Sequence, residues 1–286
     1  RADNQGEGGI LALLALSKAG TADRTSPTGN YALILAALFG AALLYADGNQ
    51  SLLVVLQALD AAGKDGVVRH LFSGMNPQGT RVFGFKQPSA EEAAHDFLWR
   101  AHQRTPAKGE VVVFNRSHYE DVLVVRVHKL VPEAVWSRRY ELIKDFEKLL
   151  VQNGTRILKF FLHISPEEQL ARFKQRLDDP ARNWKISEAD YSERALWSDY
   201  TEAYEDALAR TSSKDAPWYV IPANHKWFRN LAISQIIADS MDEMGLKLPP
   251  TRVDLDEVAR KYHAAAAEQK KAEGKAGKNG KNDKPR

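Results

Sequence analysis

Hydrophobic positions along this chain fall into short apolar runs separated by amphipathic stretches. Leu52–Leu56, Val111–Phe114, Ile157–Ile164 and Trp218–Ile221 have the length and continuity of buried strands. Arg81–Phe85 is a shorter fifth strand candidate. Helical patterns lie between them. Ser89 and Glu92 form a capping box ahead of a helix with Ala94, Phe97, Leu98 and Ala101 on one face. Val131–Leu150 predicts the clearest amphipathic helix, its stripe running through Val135, Arg139, Leu142, Ile143, Phe146, Leu149 and Leu150. Ser165-Pro166 opens another, Ser187 with Asp190 opens a long one to about Arg210, and Trp227–Met244 closes the domain. Continuous apolar strands alternating with helices predict an α/β fold, a parallel sheet flanked by helices.

The flanks differ in pattern. Residues 1–30 are rich in Gly, Ala, Ser and Thr and predict a loose arm. Tyr31–Tyr45 is apolar nearly all round, as in a helix buried in a core or subunit interface. Residues 261–286 are Ala, Lys and Gly in low complexity and predict a disordered tail. The domain therefore runs from about 31 to 260.

Composition narrows the function classes. The chain has 286 residues and no cysteine, which excludes disulfides and thiolate metal sites. Tyr31–Ala46 carries no charge but is shorter than the roughly 20 residues of a membrane span. Ile10–Leu16 lacks the basic flank and cleavage site of a signal peptide, so a cytoplasmic, membrane-free protein is expected. The net charge is +3. From Ala264 onward, six lysines and one arginine face three acidic residues, so the tail holds more than that whole excess. Any anion site in the domain must come from local clustering.

Leu52–Arg69 offers such a site. A buried strand leads into Ala61-Ala62-Gly63-Lys64-Asp65-Gly66 and then a helix. Backbone N–H groups and the helix dipole at such a turn favour anions, and a loop lysine reaches terminal phosphates. The standard G-x-x-x-x-G-K-[ST] pattern is not met: Ala58 stands at the first glycine and Asp65 at the Ser/Thr. An ordinary strand-to-helix turn is the alternative. Asp60, at the strand end, is placed to hold Mg²⁺ or orient a phosphate acceptor. Val111–Phe114 runs into the polar cluster Asn115–Asp121, at the strand end where open parallel sheets bind ligands. Arg172–Lys185 gathers five cations around Asp179-Pro180, either a mobile lid closing over phosphates or a basic solvated face.

Four separated segments, LLVVLQALDAAGKDG (52–66), FNRSHYEDVLVVRVH (114–128), RLDDPARNWK (176–185) and APWYVIPANHKW (216–227), occur in an order that resembles the family-2 polyphosphate kinases. The second is most similar to the class III branch, which phosphorylates both AMP and ADP. The similarity spans about residues 45–245. The resemblance implies a P-loop kinase fold like that of thymidylate kinase, with a helical lid at about 172–187. It implies Mg²⁺-dependent phosphoryl transfer from inorganic polyphosphate to adenine nucleotides, with Mn²⁺ as a substitute metal, in a homodimer or homotetramer. Carried over by position, Asp60, Lys64, Arg116 and Arg176 are catalytic. Ala61, Ala62, Gly63, Asp65 and Gly66 of the loop bind phosphate or nucleotide, with Asn115, Glu120, Arg182 and Lys185. Asn115 stands where other branches carry a Walker-B-like aspartate. Arg81 and Lys86 extend the polyphosphate track from Lys64, and Asp60 and Asp121 hold metal.

Two rivals remain at this stage. An ATP-dependent nucleoside monophosphate kinase would carry Ser or Thr where Asp65 stands. A nucleic-acid-binding module would use the basic segments but has no need of Asp60, Glu120 and Asp121.

Overall fold

The computed structural model describes residues 50–73, 75, 79–246 and 253–279, with side chains to residue 270. The arm over 1–30 and the helix expected at Tyr31–Tyr45 lie outside the described residues. The chain divides into two compact units, Arg1–Lys247 and Leu248–Arg286.

In the first unit, five parallel strands form one sheet: β1 (Ser51–Ala58), β2 (Thr80–Gly84), β3 (Val111–Asn115), β4 (Thr155–His163) and β5 (Trp218–Pro222), in spatial order β2-β3-β1-β4-β5. β1 is central, pairing Val55 with Phe114 on one side and Leu56 with Phe160 on the other. Leu52 to Leu56 are fully buried because helices cover both sheet faces. Alternation sorts the strand between two cores. Leu52, Val54 and Leu56 pack with Val67 and Leu71 of α1 (Lys64–Phe72). Leu53 and Val55 face the opposite core, with Tyr119 and Phe114.

The other α-helices among the described residues of this unit are α2 (Ala90–Ala93), α3 (Trp99–His102), α4 (Val124–Val127), α5 (Glu133–Gln152), α6 (Pro166–Asp178), α7 (Glu188–Ala195), α8 (Trp197–Thr211) and α9 (Lys226–Glu243). Two expected helices are each split. The Ser89–Glu92 capping box forms, but α2 stops after one turn, and Asp96 Oδ1 accepts from the Leu98 amide to start afresh. The helix opened by Ser187 and Asp190 breaks at Leu196, dividing α7 from α8.

On α5 the buried face keeps Ile143 and Phe146 of the expected stripe but is rotated away from the rest of it. Tyr140, Ile143, Phe146 and Glu147 are buried, whereas Val135, Leu142 and Leu149 are about half exposed. A buried ion pair turns the helix. Lys159, fully buried in β4, donates to Glu147 Oε2 at 2.6 Å, to Tyr119 Oη at 3.0 Å and to the Thr211 carbonyl at 2.9 Å. Tyr119 Oη donates onward to Glu147 Oε1 at 2.8 Å. Burial first, and then the Glu147 charge, hold the Tyr119 phenol well above its ordinary pKa, so it stays a donor. Such a network is stable only when every member is satisfied. It pins the 3-10 turn His118–Asp121, which follows β3, against β4, α5 and α8.

Among its described residues the second unit holds one helix, α10 (Leu255–Asn279), which overlaps the segment whose composition predicts a disordered tail. Ala, Glu and Lys are strong helix formers. Its described side chains bury almost nothing.

Candidate active site

The site is built at the carboxyl ends of β1, β3 and β5. After β1 the backbone turns through Ala61 (φ 60°) and Gly63 (φ 101°), both left-handed, and α1 starts at Lys64. Gly63 answers two demands at once. A Cβ there would sit 2.0 Å from Arg229 Nη1, in a backbone region that L side chains avoid. Gly63→Ala is therefore expected to destabilise the protein by about 3 kcal/mol, the sum of a left-handed penalty and overpacking. Urea unfolding measures this as a lowered midpoint, and an unchanged midpoint would contradict the close approach of Arg229.

Two buried arginines hold this loop from behind. Arg172 donates to the carbonyls of Ala61 and Ala62 at 2.9 and 3.2 Å, and to those of Ala223 and Asn224 at 2.7 and 2.9 Å. One guanidinium thus stitches the β1 loop to the β5 loop. Arg229 donates to the Ala62 carbonyl at 3.0 Å. Burial, and then the Arg172 charge, pull its pKa down to about 10, so it remains charged at neutral pH.

Lys64 donates to the Ala58 carbonyl at 2.8 Å. Burial lowers its pKa and Arg116 adds to this, while Asp60, Glu120 and Asp65 oppose it. Asp65 has a local partner: its Oδ1 accepts from Asn115 Nδ2 at 2.8 Å, tying α1 to the end of β3. Arg116 follows in a left-handed conformation (φ 62°). Its Nη2 donates to Asp60 Oδ1 at 3.1 Å, and its Nη1 lies 3.7 Å from Glu120. Burial raises the Glu120 pKa, against the opposing charges of Arg116 and Lys64.

Two cavities meet here. One, of about 900 Å³, is lined by the predicted cations Lys64, Lys86, Arg116, Arg176, Arg182 and Lys185. Asp60 and Asp65 are its acidic residues, and Ala61, Gly63, Gly66 and Asn115 complete the near wall. The other, of about 400 Å³, contains Glu120 and is walled by Leu123, Val124, Trp197, Tyr200 and Tyr204. Asp60, Arg116 and Lys185 line both.

Three expected site residues are placed elsewhere. Asp121, expected to hold metal, does not reach the site: it is buried behind it, paired with Arg139 at 3.0 Å and Arg100 at 3.4 Å, and lines neither cavity. Arg81 lies near the start of β2, whereas the cavity opens beyond its end at Gly84, and Glu110 takes up its charge. Ala62 is fully buried, offers its carbonyl to the supporting arginines and does not itself line the cavity. Arg172, counted in the lid segment, belongs to that support; α6 continues to Asp178 and the irregular segment follows it.

Three cationic residues of the large cavity, besides the lid-assigned Arg172, carry no assignment from sequence: Arg69, Lys226 and Arg229. A signal existed for two of them. Lys226 and Arg229 sit in the first turn of α9, which has no acidic residue there. Cations at a helix N-terminus oppose the dipole and mark a place where an anion is to be held.

A parallel sheet with a lysine-bearing loop and a cation-lined cavity at its carboxyl ends defines a kinase of the P-loop fold class. The chain belongs to the polyphosphate kinase 2 family, whose model matches residues 32–249. It is 54% identical over 207 residues to an AMP/ADP-polyphosphate phosphotransferase of Meiothermus ruber, covering 72% of this chain and 78% of that protein. It is 51% identical over 221 residues to an ADP-polyphosphate phosphotransferase of Rhodopseudomonas palustris, covering 73% and 76%. Among solved structures, polyphosphate kinase 2 from Arthrobacter aurescens TC1 matches with a TM-score of 0.80 at 41% identity, over 85% of this chain and 92% of that one. The family and the fold expected from the four motifs are both borne out.

Proposed function

We propose that this chain transfers the terminal phosphoryl of inorganic polyphosphate to AMP and to ADP, forming ADP and ATP. The observation that carries this reading is the meeting of two unlike cavities at Asp60 and Arg116. The cationic one suits a line of phosphates. The smaller one sets aromatic and aliphatic side chains beside charged ones that include Glu120, Asp190 and Glu193, and suits a nucleoside with its phosphate directed at the junction.

Phosphoryl transfer asks the protein for in-line positioning and for positive charge around a loose, highly anionic transition state. Lys64 neutralises the transferring phosphoryl, and Arg116 clamps the acceptor phosphate from the boundary between the cavities. Arg176, in the last turn of α6, and Arg182 and Lys185, on the segment after it, close over the donor and exclude water. An acceptor phosphate is already ionised at neutral pH, so no general base is required. Glu120 and Asp60 hold Arg116 in place and set the charge at the acceptor end.

The residues fit Mg²⁺. Among the described residues no group of three His, Cys, Asp or Glu forms a protein cage. Asp60 and Asp65 alone face the donor cavity, and Mg²⁺ is held by one or two carboxylates together with substrate phosphates. Mn²⁺ accepts the same donors. Bound there, the metal supplies further neutralisation of phosphate oxygens.

An ATP-dependent monophosphate kinase is disfavoured because Asp65, engaged by Asn115, offers no hydroxyl after the loop lysine. The carboxylates at the cavity junction disfavour a nucleic-acid binder. No helix among the described residues is long and apolar enough to cross a membrane. A cytoplasmic homodimer or homotetramer completes the reading, with the exposed Val135, Leu142 and Leu149 at heptad spacing on α5 as an apolar face for a second copy. Incubation with polyphosphate, Mg²⁺ and AMP, followed by nucleotide chromatography, tests the reaction. ADP is expected to rise first and ATP to follow, with no other enzyme present. AMP left untouched while ADP is converted would refute the dual-acceptor reading.

A further inference from the structure

A smaller groove of about 330 Å³ opens beside the donor cavity at the carboxyl end of the edge strand β2. It shares Gly84, Phe85 and Lys86 with that cavity, so the two are continuous around the strand end. It shares no lining residue with the acceptor cavity.

Its charge is unevenly compensated. Arg100 is buried, donates to the Lys86 carbonyl at 2.7 Å and is paired with Asp121, so it fixes the Lys86 backbone. Glu92, the carboxylate of the groove, is engaged: Oε2 accepts from the Ser89 amide at 3.0 Å and lies 3.9 Å from Arg100. Arg104 is different. It is exposed, its guanidinium lies 5.2 Å over the Phe83 ring, and no carboxylate pairs with it among the described residues. Arg81 lies over the same ring at 5.6 Å, but Glu110 satisfies it. Stacking holds a guanidinium plane ready for a phosphate without neutralising it. Lys86, exposed and likewise without a carboxylate among the described residues, lines both the groove and the donor cavity.

We propose that this groove is a distal subsite for the polyphosphate chain, in which Lys86 and Arg104 hold phosphates that lie beyond the donor cavity. The inference rests on polyphosphate being the donor. Its ligand is a run of phosphates long enough to leave the donor cavity, so its effect falls on long polymers. A nucleotide is the poorer occupant, because the groove continues the cationic cavity and has no connection with the acceptor one. Both cations are exposed, so the contribution is screened by salt.

The test is Arg104→Ala and Arg104→Glu, each assayed with long-chain polyphosphate and with tripolyphosphate. The KM for long polymer is expected to rise about tenfold with alanine, the order of one charge-assisted phosphate contact, and further with glutamate. The KM for tripolyphosphate and the KM for AMP are expected to change less than twofold, and raising salt is expected to shrink the long-polymer difference. Equal changes with both donors, or none with either, would overturn the subsite. Arg104→Met, which keeps an apolar stem over Phe83, replaces the alanine variant if that one melts early. Wild-type protein that uses no polyphosphate at all refutes the donor reading itself. Wild-type protein active on long polymer, with Arg104 variants that behave like it, refutes the subsite alone.

Discussion

Lys64→Ala is expected to lower kcat by at least about a hundredfold with the fold intact, the scale of losing one strong electrostatic stabiliser of a transition state. The fold survives because Lys64 makes one structural bond, to the Ala58 carbonyl, and its burial opposes its charge. Thermal unfolding should shift by no more than a few degrees. A well-folded variant with near-normal turnover would remove Lys64 from the chemistry. The wild-type enzyme carries a second signature of the same group. Burial lowers the Lys64 pKa, so the cation is present below that value and lost as pH rises through it. The alkaline limb of kcat/KM, which reports the free enzyme, should lie below the titration of exposed lysines. A bound polyanion favours the ammonium, so the limb of kcat should lie higher. Coincident limbs would contradict contact between Lys64 and the donor.

Arg116 gives the second large effect, and it separates chemistry from backbone strain. Its φ of 62° is costly for alanine and free for glycine. Arg116→Gly should therefore fold more stably than Arg116→Ala, by about 1 kcal/mol. Both should lose about a hundredfold or more in kcat/KM, because both remove a cation shared by the two cavities and paired with Asp60 at their junction. Activity that followed stability, recovering in the glycine variant, would make Arg116 a structural residue. Its loss also acts on Glu120. Arg116 holds the Glu120 pKa down against burial, so removing it raises that pKa further. Residual activity in either variant should fail at a higher pH on the acid side than in the wild type.

Much of the scaffold was legible in the sequence because its signals are local. A five-residue apolar run has one stable place, the middle of a covered sheet, and Leu52–Leu56 occupy it. The lysine-bearing loop and the turn after β3 were found because each directly follows such a strand. What escaped depends on contacts distant in sequence. Arg229 reaches Ala62 across 167 residues, and nothing near either residue encodes the other. Asp121 reads like its neighbour Glu120, yet the 3-10 turn sends one carboxylate toward Arg116 and the other toward Arg139. The inner face of α5 was legible only at Ile143 and Phe146, because Glu147 is buried by an ion pair with Lys159 and an apolar pattern passes over a buried carboxylate. The helix over Leu255–Asn279 is not legible in a low-complexity pattern, although Ala, Glu and Lys favour helix.

The central claim is that polyphosphate, and no nucleotide, is the phosphoryl donor. Polyphosphate labelled with ³²P, incubated with unlabelled AMP and Mg²⁺ in the absence of ATP, tests it most directly. Label is expected first in the β-phosphate of ADP and then also in the γ-phosphate of ATP, matching the label lost from the polymer. Label that stays in the polymer or appears only as free phosphate, with ADP formed only when ATP is added, would contradict the claim.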